Sequence, residues 1–348
     1  MFTRIYLFLI SIFLFYIFKI GDCQEVKGPL TSKFQEWLQL NGYSKYNFQR
    51  DDLGPCGSYG GSLFSNFQKK KTPIVFVHGN SDGALQVPGI YTTGFTKAIK
   101  YLLEQGYSSE DLYVTTWGDR NATNGGKRTH SCENIVYIRK FMEAVLKYTK
   151  SPFINVIGHS MGVTLARKAI QGVSTYDIIS NNFKKCNEGR SLESQINVFI
   201  GLAGANYGLC SCAGIEESKE RTCNNLNGFF PGNTCDKYLL MNNISSTPFD
   251  TCQLPSKNMV CLNEPNYSMI LRNLNEGSTK SGKYIYSFWS TVDEILGPYS
   301  RVWGRVTAFI PHSYDVRVFD NLKHEEVKDN TILEQYSIIQ KHEEFLSD

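Results

Sequence analysis

The segment Gly158-His159-Ser160-Met161-Gly162 has the form G-x-S-x-G. It follows an apolar run, Phe153-Ile154-Asn155-Val156-Ile157, and Leu165-Ala166-Arg167-Lys168-Ala169-Ile170 continues it in helical character. A serine on so sharp a strand-to-helix turn presents its hydroxyl as a nucleophile. Glycine at 158 and 162 removes side chains expected to collide with neighbouring strands, and the turn itself is strained. Such a hydroxyl needs a base and a group to orient that base, in the chain order Ser, then Asp or Glu, then His. Of six histidines, only His312, His324 and His342 follow Ser160. His342 falls in the middle of the final helix and reads as a surface residue. His312 precedes the last strand, directly after Pro311. His324 comes five residues after Val316-Arg317-Val318-Phe319, where a loop at a strand's carboxyl end should carry a base, and it is preferred over His312. Asp293 stands four residues beyond the strand that ends at Trp289, at the same sheet edge. It is the preferred acid, ahead of Glu294, Asp315 and Asp320. An oxyanion would be met by the backbone N–H of Met161 and by that of Asn80, in the loop after Ile74-Val75-Phe76-Val77. His78 reads as a loop-shaping residue.

The elements that must position these groups alternate. Ile74–Val77 is continuously apolar, as in a strand covered on both faces. Phe95, Ala98, Ile99, Leu102 and Leu103 make a helical stripe that Gly106 ends. Leu112–Thr116 is a second strand, and Ile135, Ile138, Met142, Val145 and Leu146 a second helical stripe. Phe153–Ile157, Ile196–Leu202, Lys283–Trp289 and Val316–Phe319 complete the strands, and Thr331-Ile332-Leu333-Glu334 has the form of a capping box opening a last helix. The alternation predicts an α/β fold with a mostly parallel sheet and helices on both faces. Residues 24–70 look irregular. Residues 206–280 break the rhythm and read as an insertion on one edge of a single catalytic domain spanning 24–348.

Composition excludes other classes. Of 348 residues, 41% are hydrophobic and 20% charged, too apolar for a disordered chain and too long for a disulfide miniprotein. The net charge of +3 and a basic block no larger than Lys69-Lys70-Lys71 argue against a nucleic-acid partner. Ile5 to Phe18 is an apolar run shorter than the roughly 20 residues of a membrane span, so 1–23 reads as a secretory signal, with no stable transmembrane anchoring expected. Six of ten cysteines (Cys210, Cys212, Cys223, Cys235, Cys252, Cys261) crowd into a short stretch and read as disulfides of a secreted protein, their pairing left open. Loss of Cys23 with the leader leaves an odd number and predicts one thiol that is free or bonded outside the chain. Asn121-Ala122-Thr123, Asn243-Ile244-Ser245 and Asn266-Tyr267-Ser268 are glycosylation sequons. No cofactor motif and no metal-ligand spacing is visible.

The combination of Val77-His78-Gly79-Asn80, Gly158-His159-Ser160-Met161-Gly162, Phe288-Trp289-Ser290-Thr291-Val292-Asp293 and Asp320-Asn321-Leu322-Lys323-His324 resembles the class 2 lipase family over roughly 72–345. The resemblance implies an α/β-hydrolase fold, carboxylic ester hydrolysis, Ser160, Asp293 and His324 as a triad, and Asn80 with Met161 as the oxyanion pair. Two features depart from the family pattern. Val163 stands where many relatives have a further glycine, and small bacterial relatives lack the cysteine-rich insertion. The function expected is a secreted lipid ester hydrolase, of triacylglycerol lipase type, working at a lipid–water interface. A short-chain esterase or thioesterase is the nearest alternative, and a catalytically inactive lipid- or protein-binding protein the distant one. Phe229-Phe230-Pro231, Tyr238-Leu239-Leu240-Met241 and Met269-Ile270-Leu271 mark the insertion either as a lid facing lipid or as a small core of its own.

Overall fold

The computed structural model describes residues 26–63, 71–179, 182–216, 219–241, 243–246, 249, 251–263 and 265–343. The expected leader (1–23) and Lys69 and Lys70 lie outside them. Parallel strands joined through helices build the centre. A seven-stranded sheet runs in the order β1 (Ser58–Tyr59), β3 (Leu112–Thr115), β2 (Ile74–Val77), β4 (Ile154–His159), β7 (Ile196–Leu202), β11 (Tyr284–Ser290), β14 (Asp315–Phe319). Every pairing is parallel except β1 with β3. Every residue of β2, β3, β4 and β7 is buried, which explains their largely apolar sequence, interrupted by Thr115, Asn155, His159 and Asn197. β14, at the edge, has only half-buried and exposed positions, with Arg317 and Val318 exposed.

Helices α2 (Thr96–Glu104), α3 (Cys132–Thr149), α4 (Met161–Gln171) and α7 (Ile332–Glu343) fall where periodicity placed them. The capping box expected at Thr331 is replaced. The Thr331 hydroxyl donates to Val327 O at 2.7 Å, closing the end of α6 (His324–Asp329).

Within the stretch expected to be irregular, residues 26–63 are more ordered than composition suggested. Thr31 caps α1 (Ser32–Leu40) by accepting from Phe34 N. Phe34 then stacks near Tyr148 (4.4 Å between ring centres), and Phe48 packs on Phe141 at 5.2 Å. Aromatics that carry no strand or helix period thus fill a gap against α3. A hairpin that the sequence reading missed, β5 (Val173–Ile179) with β6 (Asn182–Gly189), follows α4 and is tied to α3 by the Cys132–Cys186 disulfide.

Between β7 and β11 lie a three-stranded sheet, β8 (Tyr238–Leu240), β9 (Asn243–Ser245) and β10 (Met259–Cys261), and α5 (Met269–Glu276). The six clustered cysteines pair as Cys210–Cys252, Cys212–Cys223 and Cys235–Cys261. Cys235, Cys252 and Cys261 form a small separate core with Val302 and Trp303, from the short hairpin of β12 (Arg301–Val302) and β13 (Arg305–Val306). No cysteine among the described residues is free: eight pair with one another and Cys56 is disulfide-bonded as well, so the odd thiol of a leader-free chain remains an expectation. The three apolar segments of this region do not act alike. Phe229, Ile270 and Leu271 join the main core, whereas Met241 at the β8–β9 turn and Ile244 stay exposed.

Candidate active site

Ser160 sits between β4 and α4 with φ 52° and ψ −127°, a conformation strained for any residue with a Cβ. Its N–H donates to Leu202 O at 2.9 Å, which ties the turn to the end of β7. A Cβ at Gly162 would stand 2.2 Å from Val77 O, so glycine there permits α4 to start against the end of β2. At Gly158 the tight neighbour is not a strand, as expected, but the first turn of α4: a Cβ would lie 3.0 Å from Val163 Cα. Val163 is accommodated because Gly201 and Gly204 face it; a Cβ at Gly204 would come within 2.8 Å of Val163 Cγ1.

Asp293 follows β11 and is buried. Its Oδ1 accepts from Ile295 N (2.9 Å) and Leu296 N (2.8 Å). His324 is not in a loop but is the first residue of α6, and its Nδ1 lies 2.8 Å from Asp293 Oδ2. Burial by itself would push the Asp293 carboxyl up, but the bond to His324, its charge and the two backbone N–H groups hold it below the usual aspartate range. An ionised carboxylate only accepts, so His324 Nδ1 carries a hydrogen toward Asp293, and Nε2 is the nitrogen left to exchange a proton. The His324 ring lies 4.8 Å, centre to centre, from the ring of His159, the residue preceding Ser160. No hydrogen bond joins the Ser160 hydroxyl to His324 among the described residues. Such bonds are often long before substrate arrives.

The N–H of Met161, at the first position of α4, has no intrahelical partner. The Asn80 side chain is turned into the protein: its amide donates to Gly125 O (2.9 Å) and its oxygen accepts from Arg128 Nη1 (2.7 Å). That anchors the Asn80 loop while the Asn80 N–H donates to no group among the described residues. His78 is a buried spacer. Its Nδ1 meets Gly79 O (2.8 Å), its Nε2 accepts from Trp117 N (3.0 Å), and burial lowers its pKa to about 4.

The rival residues are elsewhere in role. His312 is exposed, with φ 66°. His342 is buried rather than on the surface, stacked on Tyr284 at 3.7 Å and bonded to the Tyr286 hydroxyl at 2.7 Å. Asp315 pairs with Arg317 on β14. Glu294 does take part, accepting from His324 N at 3.0 Å. Asp82, His159 and Glu325 lie close enough together to share an ion. Lys328 already supplies positive charge there, its buried ammonium 2.8 Å from Asp82 and 2.9 Å from Glu325, and the two carboxylates overcome burial to keep it charged. The sequence reading missed this group, since nothing in the spacing 82, 325, 328 signals contact. A groove of about 850 Å³ shares Arg128 with the Asn80 loop but includes none of Ser160, Asp293 or His324.

A mostly parallel sheet covered by helices, with a strained serine between β4 and α4 and an Asp–His pair at the same carboxyl-terminal edge, is the α/β-hydrolase arrangement. The model of the family Lipase (class 2) matches residues 71–337, and the chain belongs to the class 2 lipase family of carboxylic ester hydrolases. Among solved structures, it is similar to lipase B of Aspergillus fumigatus (11% identity, 78% of this chain and 52% of that one, TM-score 0.43). Monoacylglycerol lipase of Paleococcus ferrophilus is similar too (13%, 78% and 96%, TM-score 0.42). So is the mouse alpha/beta hydrolase domain-containing protein 10 (14%, 79% and 92%, TM-score 0.40). The chain spans about half the length of the Aspergillus protein.

Proposed function

We propose that this protein is a secreted serine hydrolase that cleaves carboxylic esters of lipids through Ser160, His324 and Asp293. The observation that carries the reading is the buried Asp293–His324 pair beside a serine held at positive φ. Ser160 Oγ attacks the ester carbonyl carbon as His324 Nε2 takes its proton. The N–H groups of Met161 and Asn80 receive the negative oxygen. Collapse of the tetrahedral adduct breaks the bond to the alcohol, which leaves with the proton from His324. Water then attacks the acyl-enzyme, again giving its proton to His324, and the fatty acid departs as Ser160 recovers its own. Asp293 holds the imidazole in the required tautomer and balances its charge.

Extracellular action is supported by the disulfides, which persist in oxidising compartments. No helix among the described residues is long and apolar enough to cross a membrane. Action on aggregated lipid is supported by exposed apolar residues at the rim. Val292 and Ile295 flank Asp293, and Tyr91, beside the exposed Ile90, feels the charges of Glu294, Glu325 and Asp293. A short-chain esterase or thioesterase would use the same groups, so chain length decides between them. Hydrolysis of p-nitrophenyl esters from acetate to stearate should favour long acyl chains, and the rate on emulsified triacylglycerol should exceed that on monomeric ester. A preference for acetate or butyrate with no rise on emulsion would replace the lipase reading with an esterase.

A further inference from the structure

His324 is gripped by its backbone as well as by its ring. Its N–H donates to Glu294 Oε2 at 3.0 Å, and its C=O accepts from His159 Nε2 at 3.2 Å. Glu294 is the residue after Asp293, and His159 the residue before Ser160. Each group that the ring must meet is thus followed or preceded by one that holds the ring's own main chain.

The chemistry at both ends is definite. His324 opens α6, so its N–H has no partner within the helix, and an anionic acceptor there also faces the positive end of the helix dipole. The Glu294 side chain is exposed at the rim and is reached by the Tyr91 phenol as well. At the other end a carbonyl can only accept, so His159 must carry its hydrogen on Nε2. His159 is buried, its Nδ1 has no hydrogen-bond partner, and burial keeps the ring neutral. Below it, Glu325 accepts from Thr93 Oγ1 (2.8 Å) and pairs with Lys328, which fixes the first turn of α6 from its inner side. An imidazole on a helix terminus moves with its Cα, and an error of about 1 Å at a reacting group can cost about a hundredfold in rate.

We propose that Glu294 and His159 are positioning residues, which clamp the main chain of His324 from the β11 and β4 sides so that its ring meets Asp293 and Ser160 together. This rests on the proposed role of Ser160, Asp293 and His324. Neither residue touches the reacting atoms.

The test uses the full chain. Glu294→Ala should lower kcat on p-nitrophenyl butyrate about tenfold or more with KM unchanged, and Glu294→Gln, which keeps an acceptor but no charge, should recover most of it. At the other end, His159→Gln, whose amide nitrogen reaches about as far as Nε2, should outperform His159→Leu in kcat. The downfield proton NMR signal of His324 Nδ1–H on Asp293 should exchange faster with solvent in Glu294→Ala and keep its wild-type rate in Glu294→Gln. Wild-type kcat and an unchanged signal in Glu294→Ala would overturn the proposal, as would a Gln variant as impaired as Ala. The NMR arm does not depend on ester cleavage. A wild-type protein that cleaves no ester, yet whose signal responds to Glu294 as described, would defeat the hydrolase reading and leave the clamp standing.

Discussion

The sheet and the insertion after β7 solve the same problem by different means. The strands that lead to Ser160 and Asp293 are ordered by burial: Ile154, Val156 and Ile157 of β4 and Ile285, Tyr286 and Phe288 of β11 are sealed from solvent. At about 25 cal/mol per Å² of apolar surface, such packing needs no covalent help. The region from Gly204 to Gly282 has short strands, and three of its half-cystines share a small separate core with Val302 and Trp303, which come later in the chain. A cluster that small cannot offset chain entropy alone, so cross-links help order the part of the region around it, while Phe229, Ile270 and Leu271 anchor the rest to the main core. Chemistry is placed by the apolar body, and the surface beside it is shaped by disulfides. The two should therefore fail separately.

Asp293→Asn probes the body. Asn keeps an acceptor for Ile295 and Leu296 N–H but removes the charge that sets the His324 tautomer. Turnover should drop by about 10⁴-fold while the far-UV spectrum is unchanged. The variant should also lose part of the acid sensitivity of the fold. A carboxyl held below its ordinary value stabilises the native state fully above about pH 4, and that contribution disappears as pH falls further. Equal thermal melts of the two proteins at pH 3, relative to pH 7, would contradict this. The insertion is probed by replacing Cys235 and Cys261 together with serine. Loss of this bond should cost about 2–4 kcal/mol, confined to the insertion and read as faster proteolysis between 204 and 282. Butyrate ester turnover should change by less than about tenfold, because no catalytic group of the account lies there. A collapse of turnover equal to that of Asp293→Asn would show that the two regions are one unit.

The same contrast explains what the sequence made legible. The strand bounds Ile74–Val77 and Ile196–Leu202 were readable in full, because a strand buried on both faces leaves an apolar run, continuous in the first and broken only by Asn197 in the second. The Ser160 turn was readable because steric demand leaves few residues at 158 and 162. The contact of Asp293 with His324 could be anticipated only through chain order and strand ends, since 31 positions separate them. Helix α1 was missed because its buried residues are few and are held by aromatic contacts from outside it. The hairpin at 173–189 was missed because it pairs with itself and is fixed by Cys186, whose partner Cys132 has no visible relation to it in sequence. His342 was misplaced on the surface because a histidine in a helix gives no sign of the tyrosines that cover it. The grip on His324 through Glu294 and His159 is invisible for a similar reason: it uses backbone atoms.

The most direct test of the account is covalent labelling of the folded, purified protein with a fluorophosphonate, followed by mass spectrometry of its peptides. The account predicts stoichiometric phosphonylation of Ser160, abolished when His324 is replaced by alanine. A native protein that carries no label on Ser160, and hydrolyses no p-nitrophenyl ester, would contradict it.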